Sequence, residues 1–310
     1  MEPRLAGKPV VVRAMTDRAR TRRVPLLRSR LALVENLRCQ GERPTISPEG
    51  YSAEFQVCLP YRGLFVWHVG GDDVVSDANQ VLFVSGGEAF RLSEPLPGGY
   101  GELIITPALE LLADVVQTTA ERLPRHPLFR RRSRRADQGL QVLRARFLHY
   151  ASRGDGDDLA AEELMVALLR AALAGPTRAP EPSPATRRLI GRTKEFVEAH
   201  LSDPIRLRDV AHAVGASPAY LTDVFRRFEG LPLHQYVLQA RLSRALVELP
   251  HADDLTTLAL DLGFSSHSHF AAAFRRAFHS TPSAFRASTA ASPLGGASEL
   301  APSRSAASGF

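Results

Sequence analysis

The sequence predicts an α+β protein in two parts: an antiparallel barrel or sandwich with appended helices, then an all-α domain built on two helix-turn-helix units. Three observations carry this. Short apolar runs punctuated by turn residues fill residues 53–106, helical periodicity takes over after Pro107, and a helix–turn–helix pattern occurs twice near the C-terminus. The 310 residues suffice for about two domains, and 44% hydrophobic with 23% charged residues is an ordinary globular balance.

No apolar run approaches the ~20 residues a membrane span needs, and no signal-peptide core follows the basic start. The expectation is a cytoplasmic protein without a membrane partner. Cys39 and Cys58 make neither a CxxC nor a disulfide framework, which suits a reducing compartment. The net charge of +6 is carried by arginine, since Lys8 and Lys194 are the only lysines. A basic chain permits a phosphate partner without naming one. Residues 1–30 concentrate this charge without periodicity. They read as a basic, disordered arm, or as sequence ahead of a start at Met15, with a DNA-contacting arm as the alternative.

In chain order, "AEFQVCLP", "GLFVWHVG", "QVLFVSG" and "GELIITP" are strand-length, β-branched or aromatic segments, and "GGDD", "SGGE" and "PLPGG" separate them as turns. "ALELLADVVQTTAERL", "DQGLQVLRARFLHYA" and "DDLAAEELMVALLRAALAG" then carry apolar residues at helical spacing, such as Leu140, Leu143 and Phe147. Asp157 or Asp158 is placed to cap the third helix, and Gly175-Pro176 to end it. Proline-rich residues 175–185 form a linker between a domain at 31–174 and one at 186–287, and 288–310 lack a core-forming pattern and read as a disordered tail.

Within the second domain Leu207, Val210, Ala211 and Val214 follow helical spacing, Gly215 to Ser217 interrupt, and Leu221, Val224, Phe225 and Phe228 resume it. Ser217 is an N-cap and Pro218 a first helical residue. Leu255, Leu258, Ala259 and Leu262, a turn at Gly263, and Phe270, Ala273, Phe274 and Ala277 repeat the pattern, at an offset of 48 residues that becomes 49 after the second turn. "HQYVLQARLSRALVEL" joins the copies as a long helix with Tyr236, Val237, Ala240 and Leu246 on its apolar face. A second helix of this kind enters the DNA major groove. Its outward residues are Ala219, Tyr220, Thr222, Asp223, Arg226 and Arg227 in the first copy, and Ser268, His269, Ala272, Arg275 and Arg276 in the second, with His267 at the turn. His267 and His269 lie about 160° apart on a helix, so they do not jointly grip a metal ion, and no cofactor is expected.

Gly191 to Arg286 resembles the DNA-binding domain of the AraC/XylS family of bacterial transcription regulators. The resemblance rests on "LRDVAHAVGASPAYLTDVFRRFEGLPLHQYVLQARLSRALVEL" and "TTLALDLGFSSHSHFAAAFRRAFHSTPSAFR". It implies seven helices, two reading helices on one face of double-stranded DNA, and RNA polymerase as a partner. Positions Ala219 and Ala272, where relatives often carry a longer reader, offer only a methyl contact to thymine. More loosely, residues 55–107 resemble the family's cupin-like sensor domain, which implies a small-molecule effector. Cupin metal sites need histidines that are absent here, so Trp67 and His68, which alternate in facing along "VWHVG", are candidate ligand contacts or plain core. The helices at 108–173 either form a homodimer interface or cover the barrel. The function expected is a ligand-responsive, sequence-specific regulator, an activator rather than a repressor and not an enzyme. The alternative is a cupin-type metalloenzyme, or a DNA-repair methyl acceptor, which needs a reactive cysteine cluster that Cys39 and Cys58 do not supply.

Overall fold

A computed structural model of the chain describes residues 21–40, 46–125, 131–153, 158–174 and 182–291. Ten strands are found among them: β1 (Thr21–Arg28), β2 (Ala32–Cys39), β3 (Gly50–Tyr51), β4 (Gln56–Arg62), β5 (Phe65–Val69), β6 (Asp72–Ser76), β7 (Gln80–Val84), β8 (Ala89–Ser93), β9 (Tyr100–Pro107) and β10 (Ser133–Arg135). They pair antiparallel into two sheets, of order β1-β2-β9-β4-β7-β10 and β3-β8-β5-β6, and neither sheet closes on itself. Alternation sends Leu37, Phe65, Trp67, Leu82 and Ile104 into a shared apolar core, and the intervening residues the other way. Gly63 makes the tight β4–β5 turn at φ +71°, where an added Cβ would strike the Gly99 carbonyl oxygen.

The basic run at 1–30 is not uniformly an unstructured arm. Its last third is strand β1, paired along β2 with an irregularity between Pro25 and Leu27. Proline is tolerated because β1 is an edge strand, where a missing N–H costs no ladder bond. Arg23 ties the pair together through Glu35 at 3.2 Å. Residues 1–20, with Met15, lie outside the described residues.

Helix α1 (Leu109–Val115) is shorter than the periodicity at 108–123 suggests. Gln117 adopts φ +55°, and a 3₁₀ segment follows at Ala120–Arg125. The β-branched Val115, Val116, Thr118 and Thr119 weaken a helix there. Helix α2 (Gln138–Ser152) is capped by Asp137, which accepts from Leu140 N at 2.8 Å, and α3 (Asp158–Leu173) follows. Asp157 lies outside the described residues. Helix α4 (Pro184–Ala199) precedes α5 (Leu207–Val214), α6 (Pro218–Glu229), α7 (Leu233–Glu248), α8 (Leu255–Asp261), α9 (His267–Phe278) and α10 (Pro282–Ala291). Residues 288–291, expected in a tail, are thus the last turn of α10.

The chain divides into two compact units. The first comprises the sheets, α1 and α4. Helix α4 meets β6 closely: a Cβ on Gly191 would stand 2.8 Å from Val75 Cγ2, and the buried Lys194 Nζ pairs with Asp77 Oδ2 at 3.2 Å. Removing one partner of such a pair strands a buried charge, at a cost of about 3–5 kcal/mol. Among the described residues the second unit comprises α2, α3 and residues 200–291. Val142 and Ala145 of α2 join a core with Leu242, Leu246, Phe270 and Phe274, and the buried Arg144 donates from Nη2 to Ser243 Oγ at 2.7 Å. This grouping places α2 and α3 with the C-terminal helices and α4 with the sheets, a different division from linker residues 175–185. Helical periodicity shows that a helix buries a face; it does not say against what.

Candidate nucleic-acid interface

The two C-terminal copies are built alike. Helix α5 ends at Gly215 (φ +71°), Ser217 Oγ accepts from Tyr220 N at 3.2 Å, and α6 begins at Pro218. Helix α8 is followed by Gly263 (φ +81°), Ser266 Oγ accepts from His269 N at 3.1 Å, and α9 begins at His267. Glycine supplies the left-handed turn and serine satisfies an orphan helical N–H. Leu221 and Phe225 are buried on α6, as are Phe270, Ala273, Phe274 and Phe278 on α9. Leu207 departs from the expected apolar set: it starts α5 and is 42% exposed.

With those faces inward, Ala219, Tyr220, Asp223, Arg226 and Arg227 are exposed on α6, and Thr222 is half-buried with its Oγ1 donating to Pro218 O at 2.8 Å. On α9, Ser268, His269, Arg275 and Arg276 are exposed, and His267 and Ala272 are half-buried. The arginine pairs 226/227 and 275/276 stand 49 residues apart at equivalent helix positions. Arg227 lies over the Phe228 ring at 5.5 Å, which holds it to its own helix. His269 is oriented from behind: its Nδ1 is 3.1 Å from Ser265 Oγ and its ring stands edge-on to Phe264 at 5.4 Å. Each helix therefore presents a band of hydrogen-bonding tips, flanked near its C-terminal end by two cations. Such a band can contact base edges, and the cations phosphates.

The first unit holds a cavity of ≈ 90 Å³ between its sheets. Trp67 lines it. His68 does not, because it faces the other side of β5, with Nδ1 2.6 Å from Asp73 Oδ1 and Nε2 2.8 Å from Ser93 Oγ. Three charged residues that the sequence did not single out also line it: Arg23, Glu94 and Glu102. Glu102 had a readable signal, a lone acid at an alternating position in the apolar "GELIITP". Among the described residues no cluster of three or more His, Cys, Asp or Glu is placed to hold a metal ion, and no helix is long and apolar enough to cross a membrane.

Two glycine-turned helix pairs on one linking helix, each with an outward polar second helix, define a double helix-turn-helix module. A helix-turn-helix domain model matches residues 210–288. The regulatory protein SoxS of Salmonella typhimurium is 37% identical over 93 residues, 30% of this chain and 87% of that protein. The chain belongs to the AraC/XylS family of transcription regulators. The regulatory protein PocR of the same organism is 35% identical over 111 residues, 36% of each chain, so this chain spans about a third of that relative's length. A solved AraC-type regulator structure from Chromobacterium violaceum is 29% identical and covers 35% of this chain and 98% of that one, at a TM-score of 0.33.

Proposed function

We propose that the chain is a ligand-responsive transcription regulator that reads two adjacent major-groove segments of double-stranded DNA, one with each copy. The observation that carries this is the repeat itself: equivalent exposed faces on α6 and α9, each closed by a paired arginine. Ala219, Tyr220, Thr222, Asp223, His267, Ser268, His269 and Ala272 are assigned to base edges and their surroundings. Arg226, Arg227, Arg275 and Arg276 are assigned to phosphates. Asp223 accepts from a cytosine amino group where it meets a base.

The sheet unit serves as the effector sensor, in the manner of the cupin-like domains of the family. Activation through RNA polymerase is the regulatory mode, and a homodimer is the acting form. No catalytic role is assigned. Buried Cys58, whose thiol burial pushes well above its ordinary range, has none of the thiolate character a methyl acceptor needs. Selecting bound sequences from a random DNA pool with the full chain tests the reading. The expected result is a recovered site with two conserved half-sites about one helical turn, ~34 Å, apart. Recovery of no sequence preference contradicts it.

A further inference from the structure

We propose that the cavity between the two sheets binds a small organic cation, a protonated amine, with its ammonium group on Glu102 and Glu94 and its apolar part among Phe65, Trp67, Phe90 and Tyr100. This rests on the reading of the sheet unit as an effector sensor and gives that effector a chemical class.

The charge balance of the lining points this way. Its charged side chains are Arg23, Glu94 and Glu102. Arg23 is already engaged, its Nη1 donating to Glu35 Oε2 at 3.2 Å. Glu94 is 4% exposed and both its oxygens accept from the Cys39 thiol at 3.3 Å, a weak donor. Glu102 is 6% exposed, and among the described residues its buried Oε2 has no hydrogen-bond partner. Buried acceptors are satisfied in nearly all folded proteins, so two acids with so little donated to them call for a donor that the described residues do not supply. The aromatic walls agree. Phe65 and Tyr100 lie 4.3 Å apart and Trp67 stands edge-on to Phe90 at 6.1 Å, and such ring faces attract cations. A cavity of ≈ 90 Å³, at ~10–15 Å³ for each water, holds about six to nine waters, the size of a one-ring amine. A hydroxyl or carbonyl oxygen on the same molecule would meet Arg23 Nε, which is also buried without a partner among the described residues.

The site has a built-in pH dependence. Burial pushes the Glu102 carboxyl up to about 7, against the pull of Arg23. The other titratable groups facing the cavity are Cys39, Tyr51, Cys58, Glu94 and Tyr100, and burial raises Cys58 and Tyr100 well above their ordinary values, so these two stay neutral there. Cation affinity therefore rises as Glu102 ionises.

Trp67 is the chain's single tryptophan, so its emission reports the cavity directly. The experiment titrates the full chain, without DNA, with benzylamine, benzyl alcohol and benzoate, one ring carrying a positive, neutral or negative group. Benzylammonium should bind at least about tenfold more tightly than benzyl alcohol, and benzoate least, with the gap widening from about pH 6 to about pH 8. Glu102→Gln should abolish that gap and leave benzyl alcohol unchanged; if the variant does not fold, the wild-type pH series decides alone. Equal binding of all three, preference for benzoate, or no emission response at millimolar concentration overturns the proposal. Cation binding that leaves DNA affinity unchanged would instead contradict the ligand-responsive reading while the cavity assignment stands.

Discussion

Phe225 of the first helix-turn-helix unit packs edge-on against Tyr236 of the linking helix at 5.1 Å, whereas its counterpart Phe274 sits among Phe270, Phe278 and Phe285 at 5.7, 4.6 and 5.8 Å. The turns differ in the same sense. Nothing lies within 4 Å of a Cβ placed on Gly215, but one on Gly263 would stand 2.6 Å from the Leu201 carbonyl oxygen and 2.9 Å from Arg241. Arg241 clamps that carbonyl at 2.9 Å and Asp203 O at 2.7 Å. Two copies of one backbone plan are thus held by different means. The second is fixed by a cluster of phenylalanines and a clamped turn, and the first by the Phe225–Tyr236 contact beside an open turn. Pattern repetition sets where the reading helices lie; local packing sets how firmly.

The largest expected effect comes from the aromatic core. Both phenylalanines are fully buried, and Phe→Ala in such a place costs about 3–5 kcal/mol. Phe274→Ala should disrupt the second unit while the first keeps weak, strongly salt-dependent DNA binding. Phe225→Ala should disrupt the first and spare the second. Circular dichroism melts with DNA titration check this, and loss of both units in either variant would break the comparison.

Next come the turns. Gly215→Ala meets only left-handed backbone strain, about 1–2 kcal/mol. Gly263→Ala adds a collision with backbone, so its loss of Tm should be clearly larger; equal losses would mean that the Leu201–Arg241 clamp gives way freely.

The helix ends give a smaller effect of opposite sign. Helix α6 ends on Gly230 at φ +76°, but α9 ends on His279 at φ +53°, where a side chain is strained. His279→Gly should stabilise the second unit by about 1 kcal/mol, read as a higher Tm, and Gly230→His should destabilise the first.

The smallest is a pH effect. Asp254 caps α8, accepting from Thr257 N at 2.7 Å and Oγ1 at 2.8 Å, while Arg206 at the start of α5 gives no side-chain cap. The Thr257 hydrogen bonds hold Asp254 below the usual aspartate range. A depressed carboxylate stabilises the fold above its unfolded pKa of about 3.9 and loses that contribution as pH falls through the folded value. Amide exchange in α8 should therefore quicken in acid, below about pH 4, more than in α5. Asp254→Asn, which still caps, should remove the difference.

The all-α half was legible because helix periodicity, glycine turns and serine caps are local signals, and the 48-residue offset keeps them in phase. Tyr236, Val237, Ala240 and Leu246 are buried on α7 as their spacing predicts. Strands β1 and β2 were not legible: in "TRRVPLLR" the inward Arg23 stands where an apolar residue would show the pattern, and in "ALVENLRC" the buried Asn36 breaks it by accepting from Tyr61 Oη at 2.7 Å. Nor does any local signal assign α2 to the C-terminal core. In the candidate sites, exposure on α6 and α9 followed from the helical wheel. The acids of the cavity come from β8–β9 and the base from β1, and only strand pairing brings them together.

Because α2 contributes Val142 and Ala145 to the second unit's core, the decisive measurement uses the full chain rather than a fragment beginning after 185. Methylation-protection footprinting on the selected site should show two protected major-groove patches about one turn, ~34 Å, apart on one DNA face. Phe274→Ala should erase the patch read by the second copy and leave the other. A single patch in the wild type, or loss of both patches together in the variant, would contradict two separately held reading heads.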